Sequence, residues 1–279
     1  MIRVLDLFTG IGGFALGLER TGGFAPAAFC EIAPEPSRIL RKNWPHVRNL
    51  HDVTTVSRST IDALGPIDAI TFGFPCQDLS LAGPGTGLAG QRSALFWEAV
   101  RTIRLVRPAV AIMENVAALL GRGMGAVLGA LAEEGYDTEW DCVQAVDAGR
   151  PHERNRVYLV ANAEGHGWGP GRPGGLADGL AGLPVEPCWQ GNPIDFFEER
   201  FAQPALLGVD DGLPRGLHRL GPCGNAVVPT VPELIGRSIL ADDICRSETF
   251  TSDEIWASFQ ETGRGPWSAP TLITIGGAE

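Results

Sequence analysis

Four short apolar runs, Ile2–Phe8, Ala25–Ile32, Asp68–Phe72 and Val110–Met113, recur along the first part of the chain with helix-compatible segments between them. The first is punctuated by Asp6 and passes through a glycine turn into Phe14–Arg20, at helical spacing. A second helical stretch lies near Pro36–Asn43. Ala94–Val106 places Leu95, Val100, Ile103 and Val106 roughly on one face, Met124–Glu134 reads as a further helix, and Arg156–Ala161 as a last strand. Short apolar strands alternating with helices pack as a parallel sheet with helices on both faces. The expected fold class is therefore α/β, with a doubly wound, Rossmann-like sheet.

Length and composition narrow the reading further. At ~150 residues per domain, 279 residues allow one large domain, or one with a small appendage. A chain that is 44% hydrophobic and 20% charged buries a core and is not disordered. No stretch approaches the ~18 consecutive apolar residues of a membrane span, and Asp6 comes too early for a signal peptide. Six cysteines stand singly at 30, 76, 142, 188, 223 and 245, with no C-x-x-C pair. That pattern signals neither a disulfide framework nor a metal site, and the expected compartment is the reducing cytoplasm.

The net charge of −11 weighs mildly against a nucleic-acid partner, whose phosphates need cations. Its distribution softens that objection, since the segment from Asp242 onward alone carries a net −5. Of the 22 cations only Lys42 is a lysine; arginine suits bidentate phosphate contacts, although 37 glycines and 21 prolines suggest codon bias as the plainer source. Texture divides the chain into 1–161, an irregular stretch 162–210 rich in Gly, Pro and Trp, a return of apolar periodicity within 211–241 (Val227–Leu240 reading as a helix), and an acidic tail 242–279.

Four constellations carry chemistry. Asp6-Leu7-Phe8-Thr9-Gly10-Ile11-Gly12-Gly13-Phe14 is a strand, a glycine turn and a helix start, which lets backbone approach a ligand closely. Glu31 closes the second strand, placed to bind ribose hydroxyls. Taken alone, this pair fits the dinucleotide fingerprint and does not separate NAD from S-adenosylmethionine. Gly73-Phe74-Pro75-Cys76-Gln77 puts a thiol at a strand's carboxyl end, where open α/β sheets bind ligands, and a glycine-rich loop through Gly83, Gly85, Gly87 and Gly90 follows as a lid. Glu114 ends the next strand on the same rim, either as a proton donor or as a helix-start acid. Arg154 and Arg156, two apart, point to one side if extended, either as a cationic pair over the rim or as solvated surface groups.

In this order, DLFTGIGGF, GFPCQ, ENV, an arginine pair before a strand, and GNAVVP at 224–229 resemble the DNA (cytosine-5)-methyltransferase family, of restriction–modification or phage type. The resemblance covers residues 1–161 and roughly 210–241. It implies S-adenosylmethionine as cofactor and double-stranded DNA as substrate, with Cys76 as nucleophile, Glu114 as acid, and Arg154 and Arg156 holding a flipped cytosine. It further implies a cofactor site built from Phe8, Gly10, Ile11, Gly13, Glu31, Ile32, Asp52, Val53, Pro75, Leu95, Asn225 and Val227. Residues 1–161 become a catalytic and cofactor-binding domain, 162–210 a compact target-recognition region, and 211–241 the segment that completes the catalytic domain. Trp168, Arg172 and Trp189 are candidate DNA contacts. His152 stands where the family usually has glutamine. The resemblance implies a monomer, with a cognate restriction endonuclease as a candidate companion. A nicotinamide oxidoreductase would leave Cys76, Glu114 and GNAVVP without roles; an RNA cytosine-5 methyltransferase or an inactive binding relative would keep most of the same parts.

Overall fold

The computed structural model describes residues 1–75, 94–144, 155–163 and 226–247. The strands are β1 (Ile2–Leu7), β2 (Phe24–Cys30), β3 (Arg48–Asn49), β4 (Ala69–Phe72), β5 (Val110–Val116), β6 (Tyr136–Gln144) and β7 (Asn155–Ala163). The helices are α1 (Gly13–Glu19), α2 (Pro34–Asn43), α3 (Arg58–Leu64), α4 (Ala94–Val106), α5 (Leu119–Arg122), α6 (Met124–Glu133) and α7 (Thr230–Ser247), with a 3-10 turn at Val53–Thr55.

The strands join in one sheet of order β3-β2-β1-β4-β5-β7-β6. From β1 the chain winds outward to β2 and β3, then returns to place β4 on the other side of β1. This reversal opens a crevice at the carboxyl ends of β1 and β4, the position where such sheets bind ligands. Strands β4 and β5 are buried almost throughout because helices cover both faces. Leu5, Leu7, Ile70, Phe72 and Met113 pack with Ile61 of α3, Phe96 and Ile103 of α4, and Val127 and Leu131 of α6. On the opposite face Val4, Ala69, Ile112 and Val160 meet Phe14 and Leu18 of α1 and Val231, Ile235 and Ile239 of α7. Helix α7 thus belongs to the same core as the N-terminal residues, despite its distance along the chain.

The close fit of α1 to α7 depends on glycine. A Cβ on Gly17 would stand 2.2 Å from Pro229 O, and one on Gly13 would stand 2.4 Å from Val227 O. Neither helix could approach its partner this way with a side chain at those positions.

The expected parallel sheet needs correction at one edge. Strand β7 runs antiparallel to β5, from Val110↔Asn162 to Val116↔Arg156, and β6 runs antiparallel to β7. Residues 145–154 are too few for a helical crossover, which takes about a dozen residues or more, so β6 and β7 pair head to tail. Strand β6 itself did not stand out in the sequence. It is an edge strand in which only Tyr136 and Val143 are buried, while Asp137, Trp140 and Asp141 are exposed. Charges on an edge discourage pairing with another chain and also erase the apolar alternation that identifies a strand. Helix α3 buries Ile61 alone; its local signal is the Ser57 cap, whose Oγ accepts from Thr60 N at 3.3 Å. Two boundary readings also shift. Glu114 lies inside β5 and not at its end, and Glu31 lies one residue beyond β2.

Candidate active site

The crevice is a cavity of about 520 Å³, within the range of small-molecule sites. Every parallel strand from β1 to β5 delivers residues to it from its carboxyl end: Phe8 and Gly10 after β1, Glu31 and Ile32 after β2, Asp52 and Val53 after β3, Gly73 to Pro75 after β4, and Glu114 to Val116 in β5. Strand β7 is antiparallel, so its beginning reaches the same rim and contributes Arg156. The reversed strand therefore brings the arginine to the carboxylate.

The turn after β1 is fixed by backbone conformation. Gly10 and Gly12 take φ of +57° and +92°, in the left-handed region that glycine enters freely, and Phe8 takes +55°. Thr9 Oγ1 donates to Asp6 O at 2.7 Å and closes the turn. A Cβ at Gly10 would meet nothing within 4 Å, so open space lies over its backbone. Glu31 is almost wholly buried, and both carboxylate oxygens accept backbone hydrogen bonds: Oε2 from Gly10 N at 2.8 Å and Oε1 from Ala33 N at 2.7 Å. Its orientation is thereby settled before any ligand arrives. Next to it Ile32 is 69% exposed, an unusual state for an isoleucine and an apolar platform at the cavity mouth. Asp52 Oδ1 accepts from Thr54 N at 2.9 Å and caps the 3-10 turn that carries Val53.

At the other end of the cavity, Arg156 Nε lies 2.9 Å from Glu114 Oε1 in an ion pair with both side chains largely buried. Glu114 Oε2 lies over Gly73, 3.4 Å from where a Cβ would be, so a larger residue there would crowd the carboxylate. Asn115 Nδ2 donates to Phe74 O at 3.2 Å and pins the backbone immediately before Pro75. Phe74 packs against Phe96 with ring centroids 5.3 Å apart, which anchors the same segment from below.

Of the expected site residues, Phe8, Gly10, Glu31, Ile32, Asp52, Val53, Pro75, Leu95, Glu114 and Arg156 share the wall of this one cavity. Ile11, Gly13 and Val227 do not line it; Gly13 and Val227 instead pack on each other, and Ala226 is the α7-side residue that reaches the cavity. Cys76, Arg154 and Asn225 lie outside the described residues, as do His152, the Gly83–Gly90 loop, Trp168, Arg172, Trp189 and the tail beyond Ser247. Sequence reasoning missed Cys30, Ala33, Pro36, His51 and Val116 in the wall. Nothing marks these residue types as ligand-facing except their nearness to strand ends. Cys30 is no second nucleophile. Burial above all, and then the Asp52, Glu31 and Asp6 carboxylates, push its thiol up to about 12, and it donates to His51 O at 3.4 Å.

Among the described residues, a seven-stranded sheet with its β7 strand reversed and a crevice at the carboxyl rim defines the class: the Rossmann-like fold of methyltransferases. The family model described as C-5 cytosine-specific DNA methylase matches residues 2–173, and the chain belongs to that family. Among its relatives, Type II methyltransferase M.HgiCII of Herpetosiphon aurantiacus is 32% identical over 162 residues, covering 57% of this chain and 36% of that protein. Type II methyltransferase M2.BsuMI of Bacillus subtilis (strain 168) is 36% identical over 169 residues, covering 58% and 42%. The chain thus spans less than half the length of either relative. The solved structure of Entamoeba histolytica methyltransferase EhMeth shares the fold, with a TM-score of 0.61 at 15% identity over 88% of this chain and 99% of that one.

Proposed function

We propose that the protein methylates carbon 5 of cytosine within a specific sequence of double-stranded DNA, using S-adenosylmethionine. The observation that carries this reading is the shared cavity. It holds Glu31 at one end and the Glu114–Arg156 pair at the other, with Pro75, the residue before Cys76, in its wall. The cofactor suits the donor set on chemical grounds. A fixed carboxylate offers its remaining lone pairs to ribose hydroxyls, exposed Ile32 offers apolar surface to a purine, and the open space over Gly10 admits a chain close to the backbone. When bound, S-adenosylmethionine supplies the methyl group that carbon 5 accepts.

The remaining chemistry belongs to the chain's own side chains. Carbon 5 of cytosine is a poor nucleophile, and a Cys76 thiolate adding at carbon 6 raises its electron density. Glu114 delivers a proton to N3, so the ring becomes a neutral enamine and not an anion. Once carbon 5 carries the methyl group, loss of its proton to solvent expels the Cys76 thiolate, and return of the N3 proton to Glu114 restores the neutral aromatic ring. Arg156 holds Oε1 of Glu114, and Asn115 holds the backbone that leads to Cys76. A cytosine inside a duplex cannot reach this crevice, so the base is flipped out of the stack. Arg154 then assists Arg156 in holding it, and residues 162–210 choose the DNA sequence. We place the protein in the cytoplasm as a monomer, alongside a restriction endonuclease of the same specificity.

The test is position-by-position mapping of 5-methylcytosine after incubation with S-adenosylmethionine and unmethylated DNA of varied sequence, with transfer RNA in parallel. Methylation confined to one short DNA motif is expected. Cys76→Ser abolishes it while cofactor binding persists, and Glu114→Gln slows turnover by ~10²-fold or more. Wild-type turnover in either variant refutes the assignment of roles, and methylated transfer RNA with unmodified DNA refutes the substrate.

A further inference from the structure

Strand β3 consists of Arg48 and Asn49 alone, paired with Ala28 and Phe29 of β2. So short an edge strand adds little to the sheet, yet it delivers Asn49 between two parts of the cavity wall. Asn49 Oδ1 accepts from both Glu31 N and His51 N at 3.0 Å. Its Nδ2 donates to Glu31 O at 3.0 Å and Ser37 Oγ at 3.1 Å, and lies 3.3 Å from His51 Nδ1. One amide therefore grips Glu31 by both backbone polar groups, holds His51 by its backbone N–H and lies against its ring.

His51 is itself unusual. It is exposed, it lines the cavity beside Asp52, and its φ is +65°, a region that residues other than glycine seldom enter. Strained backbone at a ligand-facing position points to a side chain kept for what it touches. The two amide hydrogens of Asn49 go to Glu31 O and Ser37 Oγ, and its 3.3 Å approach to His51 Nδ1 is a contact that sets which edge of the ring faces the amide. Nε2 is the ring edge that Asn49 does not face.

We propose that His51 is a cofactor-binding residue that hydrogen-bonds through Nε2 to the nucleoside half of the cofactor, and that Asn49 is the positioning residue that sets His51 and Glu31 together. This rests on the cofactor reading above and adds a recognition group to it. The nucleoside half is chosen because His51 is followed by Asp52 and Val53 on the Glu31 and Ile32 side of the cavity, on the strands away from Glu114 and Arg156.

The test is calorimetric titration of the full chain with S-adenosylhomocysteine and with 5′-methylthioadenosine, which keeps the nucleoside and lacks the amino-acid end. His51→Gly removes the ring, retains the backbone N–H bonded to Asn49, and relieves the positive φ, so its melting temperature stays level or rises. Both ligands are expected to weaken by a common factor of about five to ten, the loss of one hydrogen bond. Unchanged affinity for both, or weakening of S-adenosylhomocysteine alone, overturns the assignment of His51. If the wild-type chain binds neither ligand, the cofactor reading itself has failed. Asn49→Ala weakens both ligands further, because it loosens Glu31 as well. In that background His51→Gly costs less than twofold, since the ring is no longer held; strictly additive losses overturn the positioning role of Asn49.

Discussion

The substitution Gly17→Ala adds one methyl group to the face of α1 that meets α7. An ideal Cβ there would lie 2.2 Å from Pro229 O, 2.9 Å from Pro232 Cβ and 3.1 Å from Glu233 N. Carbon and oxygen in contact sit at about 3.3–3.6 Å, so the first approach is about 1 Å too close. The obstacle is a backbone carbonyl at the start of a helix, whose next N–H groups depend on it; Glu233 N donates to that same Pro229 O at 3.1 Å. It cannot rotate away as a side chain would. Overpacking of this kind costs about 1–3 kcal/mol, against which alanine's intrinsic helix preference over glycine returns up to about 1 kcal/mol. With backbone on the receiving side, a net loss of about 2 kcal/mol is expected, or about 4–8 °C in melting temperature for a chain of this size. The matched control is Gly129→Ala on the exposed face of α6, where a Cβ meets nothing within 4 Å. The same chemical change there gains up to about 1 kcal/mol. Thermal unfolding followed by far-UV circular dichroism reads both. A Gly17→Ala protein that melts at or above the Gly129→Ala protein would refute the packing of α7 on α1, and with it the continuity of the core between the two ends of the fold.

Two further outcomes follow from buried groups. Asp6 is held in β1 with Oδ1 accepting from Thr71 Oγ1 at 2.7 Å. Burial foremost pushes its carboxyl up to about 8, the Thr71 bond opposing and the Glu31 charge adding to the rise. Below the ordinary carboxyl value of about 4 both folded and unfolded chains carry this proton; between there and about 8 only the folded chain does. The stability linked to Asp6 is therefore complete in acid and is lost as pH rises through about 8. Urea midpoints for the wild type should fall across that window more steeply than for Asp6→Asn, and parallel pH profiles would remove the basis for the prediction. Tyr136 donates to Pro108 O at 2.7 Å, at the rim opposite the cavity. Tyr136→Phe is expected to cost about 1 kcal/mol in denaturant unfolding with no change in S-adenosylhomocysteine affinity, since it strands a buried carbonyl far from the site. A change in affinity without a change in stability contradicts that separation.

What the sequence determined by itself are the features with local physical causes. Strands buried on both faces are mostly apolar, so β1, β2, β4 and β5 stand out from their neighbours. Helix α4 was legible to its bounds because one face packs on the sheet. The glycine turn, Glu31 and Glu114 were legible as chemistry because parallel strands must present their carboxyl ends on one rim. Tertiary structure alone decided what depends on groups far apart in the chain. The reversal of β7 brings Arg156 to within 2.9 Å of Glu114, a pairing that no local pattern encodes. The packing of Gly13 on Val227, two residues each expected at the cofactor, follows from α7 closing on α1. Strand β6 escaped notice because an edge strand need not alternate, and Asn49 and His51 because their roles lie in hydrogen bonds to Glu31 and to each other. Periodicity reports which side of an element is buried. Which distant polar groups then meet in the crevice is fixed only when the sheet order and strand directions are.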